Sequence, residues 1–324
     1  MKTYRICVLG GTGFVGKHLL NRLVAEGHHT RVLTHHRERH RDLLVLPTLS
    51  LIQADIHNES ELKKHLAGQD VVINLVGILN ESGHKGKGFQ QAHVQLAQKV
   101  VQACEANHIQ RLLHMSALNA TPKKKISHYL LSKGQAEDLV HIINTLQVTS
   151  FRPSVIFGPG DSFINRFHHL LRLMPLAMPL ACPNARFAPV YVGDVVEAIV
   201  HSLHDPDTIG QRYELCGPRV YTLKQLVQYI AGFLPVKRRV IGLPPLLSKM
   251  QACIMEYLPG KPFSIDNFNS LQVDSVCKQP FPEIFGIKPR TIEEIVPHYL
   301  YRQSPRDQYA AYRRRGQQYS RQRL

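Results

Sequence analysis

The first half of the chain alternates short apolar runs with longer stretches of helical periodicity. Arg5–Leu9 predicts a strand, residues 14–26 a helix and residues 30–34 a second strand. A short run at 50–53 precedes a helix at 60–66. Residues 71–76 are dominated by β-branched apolar residues, the texture of a strand covered on both faces in a parallel sheet. A long helix fits 89–108, the strand Arg111–Met115 follows it, and a helix at 128–145 leads to a strand at 148–152. Strands that alternate with helices define βαβ units, so the predicted class is α/β with a doubly wound parallel sheet.

After Phe157 the texture changes. Pro159, Pro175, Pro179, Pro183 and Pro189 cut the chain into short pieces, and helical periodicity returns at 193–204 and 223–233. Residues beyond Gly242 form apolar segments punctuated by Pro244, Pro245, Pro259 and Pro262. The expected organisation is an α/β domain at 1–157, a smaller region at 158–303 interleaved with the last elements of that domain, and a basic tail at 304–324 that lacks apolar periodicity. No internal repeat is visible.

Gly10-Gly11-Thr12-Gly13-Phe14-Val15-Gly16 lies directly between the first strand and the first helix. Its G-x-x-G-x-x-G spacing suits a phosphate loop. Gly10 makes the turn, Gly13 admits a pyrophosphate close to the backbone, and Gly16 lets helix pack on strand. The helix N-terminus supplies free N–H groups and the positive end of its dipole. Thr12, Phe14 and Val15 belong to the same loop, so the first domain is expected to be a Rossmann-type NAD(P)-binding unit. A site selective for NAD carries an acid at the end of the second strand, to hold the ribose 2′-hydroxyl. Here that position reads Thr34-His35-His36-Arg37, and its cationic character favours NADP(H), with NAD(H) possible. His35 and Arg37 are candidates for the 2′-phosphate. Asp55 and Ile56, after the third strand, are placed to border the adenine.

Further motifs carry a family resemblance. Val72-Ile73-Asn74-Leu75-Val76-Gly77-Ile78-Leu79 and His114-Met115-Ser116-Ala117-Leu118 are two of them. Residues 152–161 and 189–195 are two more. In combination they resemble the atypical extended short-chain dehydrogenases/reductases, which fall among the NAD-dependent epimerase/dehydratase proteins. Within these they resemble the family of complex I (NADH:ubiquinone oxidoreductase) alpha-subcomplex subunit 9. The resemblance runs from about Tyr4 to Val273 and implies an extended Rossmann-type fold that binds NADPH. It also implies a link to respiratory complex I or to quinone metabolism. Val76, Gly77, Pro153 and Val155 are then expected to border the cofactor.

Tyr129-Leu130-Leu131-Ser132-Lys133 supplies Y-x-x-x-K, and the i, i+4 spacing puts both side chains on one helix face. By the same resemblance, Lys133 holds the nicotinamide ribose and its charge draws the Tyr129 phenol toward working pH. Ser116 hydrogen-bonds the reacting oxygen. Ser116, Tyr129 and Lys133 are the candidate catalytic set of an oxidoreductase or epimerase-like enzyme. No residue is identified as the asparagine that completes the family's usual tetrad. That absence keeps a second reading open: a non-catalytic nucleotide-binding accessory or assembly protein of a respiratory complex.

Composition refines the picture. The net charge is +16, and residues 301–324 hold seven Arg against one Asp. Such a surface favours anionic partners. No nucleic-acid motif appears and the basic residues are not interleaved with aromatic platforms, so nucleic acid is not expected. The apolar, proline-broken stretch at 170–181 is expected to be either a lid over the cofactor or a membrane- or quinone-facing surface, which residues 243–258 extend. The partners expected are a hydrophobic small molecule and an anionic membrane or a respiratory complex. Cys7, Cys104, Cys182, Cys216, Cys253 and Cys277 form no C-x-x-C pair and read as reduced thiols. His35, His36 and His40 lack the cysteine or acid that would complete a metal site, so no metal is expected. The first strand starts so close to Met1 that no leader is expected. No apolar run reaches the length of a membrane span. The expected location is cytoplasmic, peripheral at the inner face of the membrane.

Overall fold

The computed structural model describes residues 2–300, apart from 82, 124, 125, 175, 237, 259 and 260. The basic tail at 304–324 lies outside the described residues.

The chain opens with β1 (Arg5–Leu9), α1 (Phe14–Ala25), β2 (His29–Thr34), β3 (Leu49–Gln53), α2 (Glu59–Leu66) and β4 (Val71–Asn74). A short α3 (Lys87–Phe89) runs through a π-helical stretch, Gln90–Gln95, into α4 (Leu96–Ala106). Then come β5 (Arg111–Met115), α5 (His128–Ile142) and β6 (Gln147–Pro153). Beyond these lie β7 (Ile156–Phe157), α6 (Ile164–Leu173), β8 (Ala177–Leu180), β9 (Arg186–Phe187), β10 (Val190–Tyr191) and α7 (Val192–His204). The chain continues with β11 (Arg212–Leu215), β12 (Tyr221–Thr222), α8 (Leu223–Ala231), β13 (Arg239–Gly242), α9 (Pro245–Met255), α10 (Ile265–Ser270) and α11 (Ile292–Leu300).

Seven strands form one sheet in the order β11-β6-β5-β4-β1-β2-β3, and every pairing in it is parallel. This is the doubly wound α/β arrangement predicted, and the strand order reverses direction between β1 and β4. Alternation along the strands explains its two covered faces. Ile6 and Val8 point into a core with α1 and α7, and Cys7 and Leu9 into one with α2, α4 and α5. β11, which joins the sheet beside β6, was not foreseen, because its four residues include the polar Arg212 and Glu214.

A third core gathers Phe157, Leu171, Met178, Leu180, Val227, Ile230 and Val296. It takes in part of residues 170–181: Leu171, Met178 and Leu180 are buried in this core, and among the described residues of the stretch Leu173 and Leu176 are exposed large apolar ones. The cysteine expectation is corrected. Cys216 and Cys277 form a disulfide with a Cα–Cα distance of 5.9 Å and a sequence separation of 61. The end of β11 and the segment after α10 meet only in the folded chain, so spacing along the sequence could not reveal the pair. Cys7, Cys104, Cys182 and Cys253 are free.

Candidate functional site

The predicted loop residues cluster at the carboxyl ends of the sheet strands, where the order reverses, which is where open α/β sheets bind ligands. Gly10 has φ +76°, and a Cβ there would sit 3.0 Å from the Leu75 carbonyl carbon and the Val76 nitrogen. The turn therefore leaves β1 tight against the chain that leaves β4. A Cβ on Gly16 would come within 2.5 Å of Gly11 Cα, so α1 crosses the loop at a distance only glycine allows. Gly13 is the N-cap of α1, and its N–H donates to the Gly10 carbonyl at 3.0 Å. Its own position is exposed, with room on the outer side for a ligand phosphate. Thr12, Phe14 and Val15 are half-buried around it.

At the rim of β2 and β3 the structure brings His35 and Asp55 together, with Nε2 3.8 Å from Oδ1. Ile56 packs half-buried against the second core. Arg37 is partly committed already: its Nε donates to the Leu51 carbonyl at 3.2 Å and Nη1 to Glu38 at 3.3 Å. Arg41 also pairs with Glu38. The rim is thus less purely cationic than its sequence suggests.

Below the turn that follows β4, Lys133 reaches the end of β5, one residue before Ser116. Lys133 is buried, and its ammonium donates to the carbonyl oxygens of Val76 at 3.1 Å and Met115 at 3.0 Å. Gly77 lies so near that a Cβ there would be 3.0 Å from Nζ. Burial lowers the lysine to about 8, against a small opposing pull from Glu137. Ser116, the residue after Met115, is buried, and its Oγ finds no hydrogen-bond partner among the described residues. That orphaned hydroxyl fits a site that completes its bonding with a ligand oxygen. Pro153 and Val155 border the same end of the sheet, their carbonyls taken by the N–H groups of Leu118 and Val190.

Tyr129 is half-buried one helical turn before Lys133. Burial raises its phenol to about 12, and Lys133 does not draw it down. In the protein alone, burial is what sets the phenol high.

Several supporting residues escaped sequence reasoning. The π-helical turn at Gln90–Gln95 shifts the helical repeat and brings His93 into the interior, where it is buried. The Ile78 N–H donates to His93 Nε2 at 3.1 Å, which leaves Nδ1 to donate to Ser132 Oγ at 2.8 Å. Ser132 in turn donates to the Tyr129 carbonyl at 2.9 Å. The ring packs edge-on against Tyr129, with centroids 5.7 Å apart. Burial, reinforced by the nearby Lys133 charge, depresses His93 to about 2, so it stays neutral. His93 therefore joins the turn after β4 to the helix that carries Tyr129 and Lys133. Asp266 of α10 caps that helix from a distant part of the chain, accepting the N–H groups of His128 at 2.6 Å and Tyr129 at 3.1 Å. Neither residue belongs to a motif visible in the sequence.

Away from this site, Glu26, His28 and His204 place ligand-type atoms within 4.8 Å of one another. The Tyr4 N–H donates to His28 Nδ1 at 3.1 Å, so the ring proton stays on Nε2, the atom that faces Glu26. That tautomer opposes metal ligation through Nε2.

Sheet order, glycine turn and buried lysine together define a dinucleotide-binding protein of the extended Rossmann class. Residues 6–216 match the NAD dependent epimerase/dehydratase family, and the chain belongs to it. It is 29% identical over 297 residues, 88% of its own length and 77% of the relative's, to mitochondrial NADH dehydrogenase [ubiquinone] 1 alpha subcomplex subunit 9 of Mus musculus. The resemblance to that subunit family, read from the motifs, thus holds over most of the chain. It is 28% identical over 244 residues to a ceramide reductase of Caulobacter vibrioides, covering 74% of this chain and 73% of that one. Its fold is similar to that of the dTDP-glucose 4,6-dehydratase DesIV of Streptomyces venezuelae, solved with NAD bound. That match has a TM-score of 0.70 at 20% identity and covers 93% of this chain and 97% of that one. Among the described residues no helix is long and apolar enough to cross a membrane.

Proposed function

We propose that the protein is an NADPH-dependent oxidoreductase that reduces the carbonyl of a hydrophobic, quinone- or isoprenoid-related substrate in respiratory-chain metabolism. The observation that carries this reading is the unpartnered Ser116 hydroxyl beside the carbonyl that anchors Lys133. A bound nicotinamide would supply the hydride. Ser116 would donate its hydroxyl proton in a hydrogen bond to the substrate oxygen. Tyr129, protonated throughout the neutral range with its phenol at about 12, suits the donation of a proton to that oxygen, which is the reductive direction. Lys133 would hold the nicotinamide ribose, and the glycine loop at the head of α1 would hold the pyrophosphate. Arg37 and His35 would take the 2′-phosphate. The hydrophobic substrate class is supported by the relative named ceramide reductase. The cellular setting in this reading is cytoplasmic, with peripheral attachment to the inner face of an anionic membrane.

A second reading is a non-catalytic nucleotide-binding accessory protein of a respiratory complex. It is favoured by the engagement of Lys133 with two backbone carbonyls and by the relatives named as complex I subunits. One comparison separates the two. In the enzyme reading, Tyr129→Phe keeps NADPH binding and removes carbonyl reduction, while Lys133→Ala damages both. A protein in which Tyr129→Phe alters no phenotype and Lys133→Ala does is a nucleotide-binding scaffold.

A further inference from the structure

α9 is the anomaly of the surface. It packs inward through Ser248 and Ala252, the only buried residues of its eleven. Its outward side carries Leu246, Met250 and Ile254, spaced by four and exposed at 80%, 53% and 60%. Tyr257, 81% exposed, extends the same stretch. A helix whose solvent side is this apolar needs a cover that water does not provide. The patch also reaches β8: the Gln251 side chain donates to the Pro179 carbonyl at 3.4 Å, and Ile241 pairs with Pro179 across the small β13–β8 sheet. Leu176, just before β8, is 80% exposed, and its carbonyl accepts the Arg239 N–H.

We propose, resting on the peripheral membrane attachment read above, that α9 is an interfacial helix that lies in the headgroup boundary of an anionic phospholipid bilayer. Charge selects this occupant. The exposed cations Arg239 and Lys249 flank the apolar face, and the chain as a whole is strongly basic. An apolar face with cationic borders is the form that binds acidic lipid in the plane of the membrane. Residues 301–324 hold one leucine, four tyrosines and no valine, isoleucine, methionine or phenylalanine. Their seven arginines add to the attraction. Glu256 and Tyr257, just past the last residue of α9, line a cavity of about 420 Å³ whose other walls include Phe89, Ser127 and His128.

The chain has no tryptophan, which makes the test direct. Leu246→Trp and Ile254→Trp in the full chain should each show a blue shift in emission on adding phosphatidylglycerol/phosphatidylcholine vesicles. Ile142→Trp, 77% exposed on α5, should not. The triple variant Leu246→Gln/Met250→Gln/Ile254→Gln should float with those vesicles at least ~10-fold less than the wild type, with its melting transition retained. Absence of a shift at both tryptophans overturns the proposal, as does a triple variant that floats like the wild type. A wild-type dimer that the triple variant splits, with no flotation by either, assigns the face to a second copy and also overturns it. NADPH binding by the triple variant should be unchanged, so this test and that of the enzyme reading fail independently.

Discussion

The Lys133 ammonium donates to the Met115 carbonyl oxygen at 3.0 Å, which ties the helix of the Y-x-x-x-K motif to the end of β5 one residue before Ser116. The same ammonium holds the Val76 carbonyl, so one buried charge joins β4, β5 and α5. It is a structural anchor even without ligand, and any catalytic part it takes is added to that role.

This placement gives a pH dependence with a definite sign. Burial lowers Lys133 from 10.5 to about 8 in the folded protein, so between those values the unfolded chain binds more protons. Stability from this group should therefore rise with pH from about 8 to about 10.5, and be least below 8, where the buried lysine is charged. Nucleotide affinity should move the opposite way, falling as pH rises through 8 and the ammonium loses its proton. Lys133→Met should flatten both profiles, read by denaturant unfolding and by NADPH titration. A wild-type affinity constant from pH 7 to 9.5 would rule out a charge role for Lys133 in binding.

Gly13→Val tests the phosphate loop. The added Cβ would meet the Gly10 carbonyl at 3.2 Å and otherwise project to the open side of the loop, where a pyrophosphate would sit. The fold should survive, and dinucleotide affinity should fall by roughly 100-fold, about 2.7 kcal/mol. Fluorescence titration against a circular-dichroism control measures it; retained affinity would remove the loop from the binding site.

Arg37→Ala together with Arg39→Ala, an exposed residue two positions further along the same cationic rim, tests cofactor choice. A charge-assisted contact to a phosphate is worth about 1.5–3 kcal/mol, and only NADPH carries the 2′-phosphate. The ratio of NADPH to NADH affinity should drop by about 10- to 100-fold. Arg37 also holds the Leu51 carbonyl, so equal losses for both cofactors would assign the pair to shaping the rim alone.

The disulfide makes a countable prediction. Thiol titration of the denatured, unreduced protein should find four free thiols, rising to six after reduction. Closing a loop with a separation of 61 residues restricts the unfolded chain, and Cys277→Ser should cost about 4 kcal/mol of stability by that effect. Six free thiols without reductant would refute the bridge.

The extent to which the site was legible follows from distance along the chain. Alternating periodicities set out β1 to β6 and the helices between them, because side-chain direction repeats locally in strand and helix. The glycine loop was legible for the same reason, since its turn, cap and helix start occupy seven consecutive residues. Ser116 and Lys133, 17 positions apart in sequence, could be paired only through a motif; their actual link, through the Met115 carbonyl, required the folded sheet. His93 came into view only with the π-helical turn that alters its direction, and a helical repeat read from sequence has no term for that extra residue. The Asp266 cap on Tyr129 spans 137 residues, and the Cys216–Cys277 bridge joins segments that local pattern leaves unrelated. The sequence by itself determined the parallel α/β core and its phosphate loop, because burial periodicity and backbone sterics act between near neighbours. Tertiary structure alone decided which charge is spent on which carbonyl, which thiols meet and which apolar helix is left uncovered, because those outcomes depend on how distant segments close on one another.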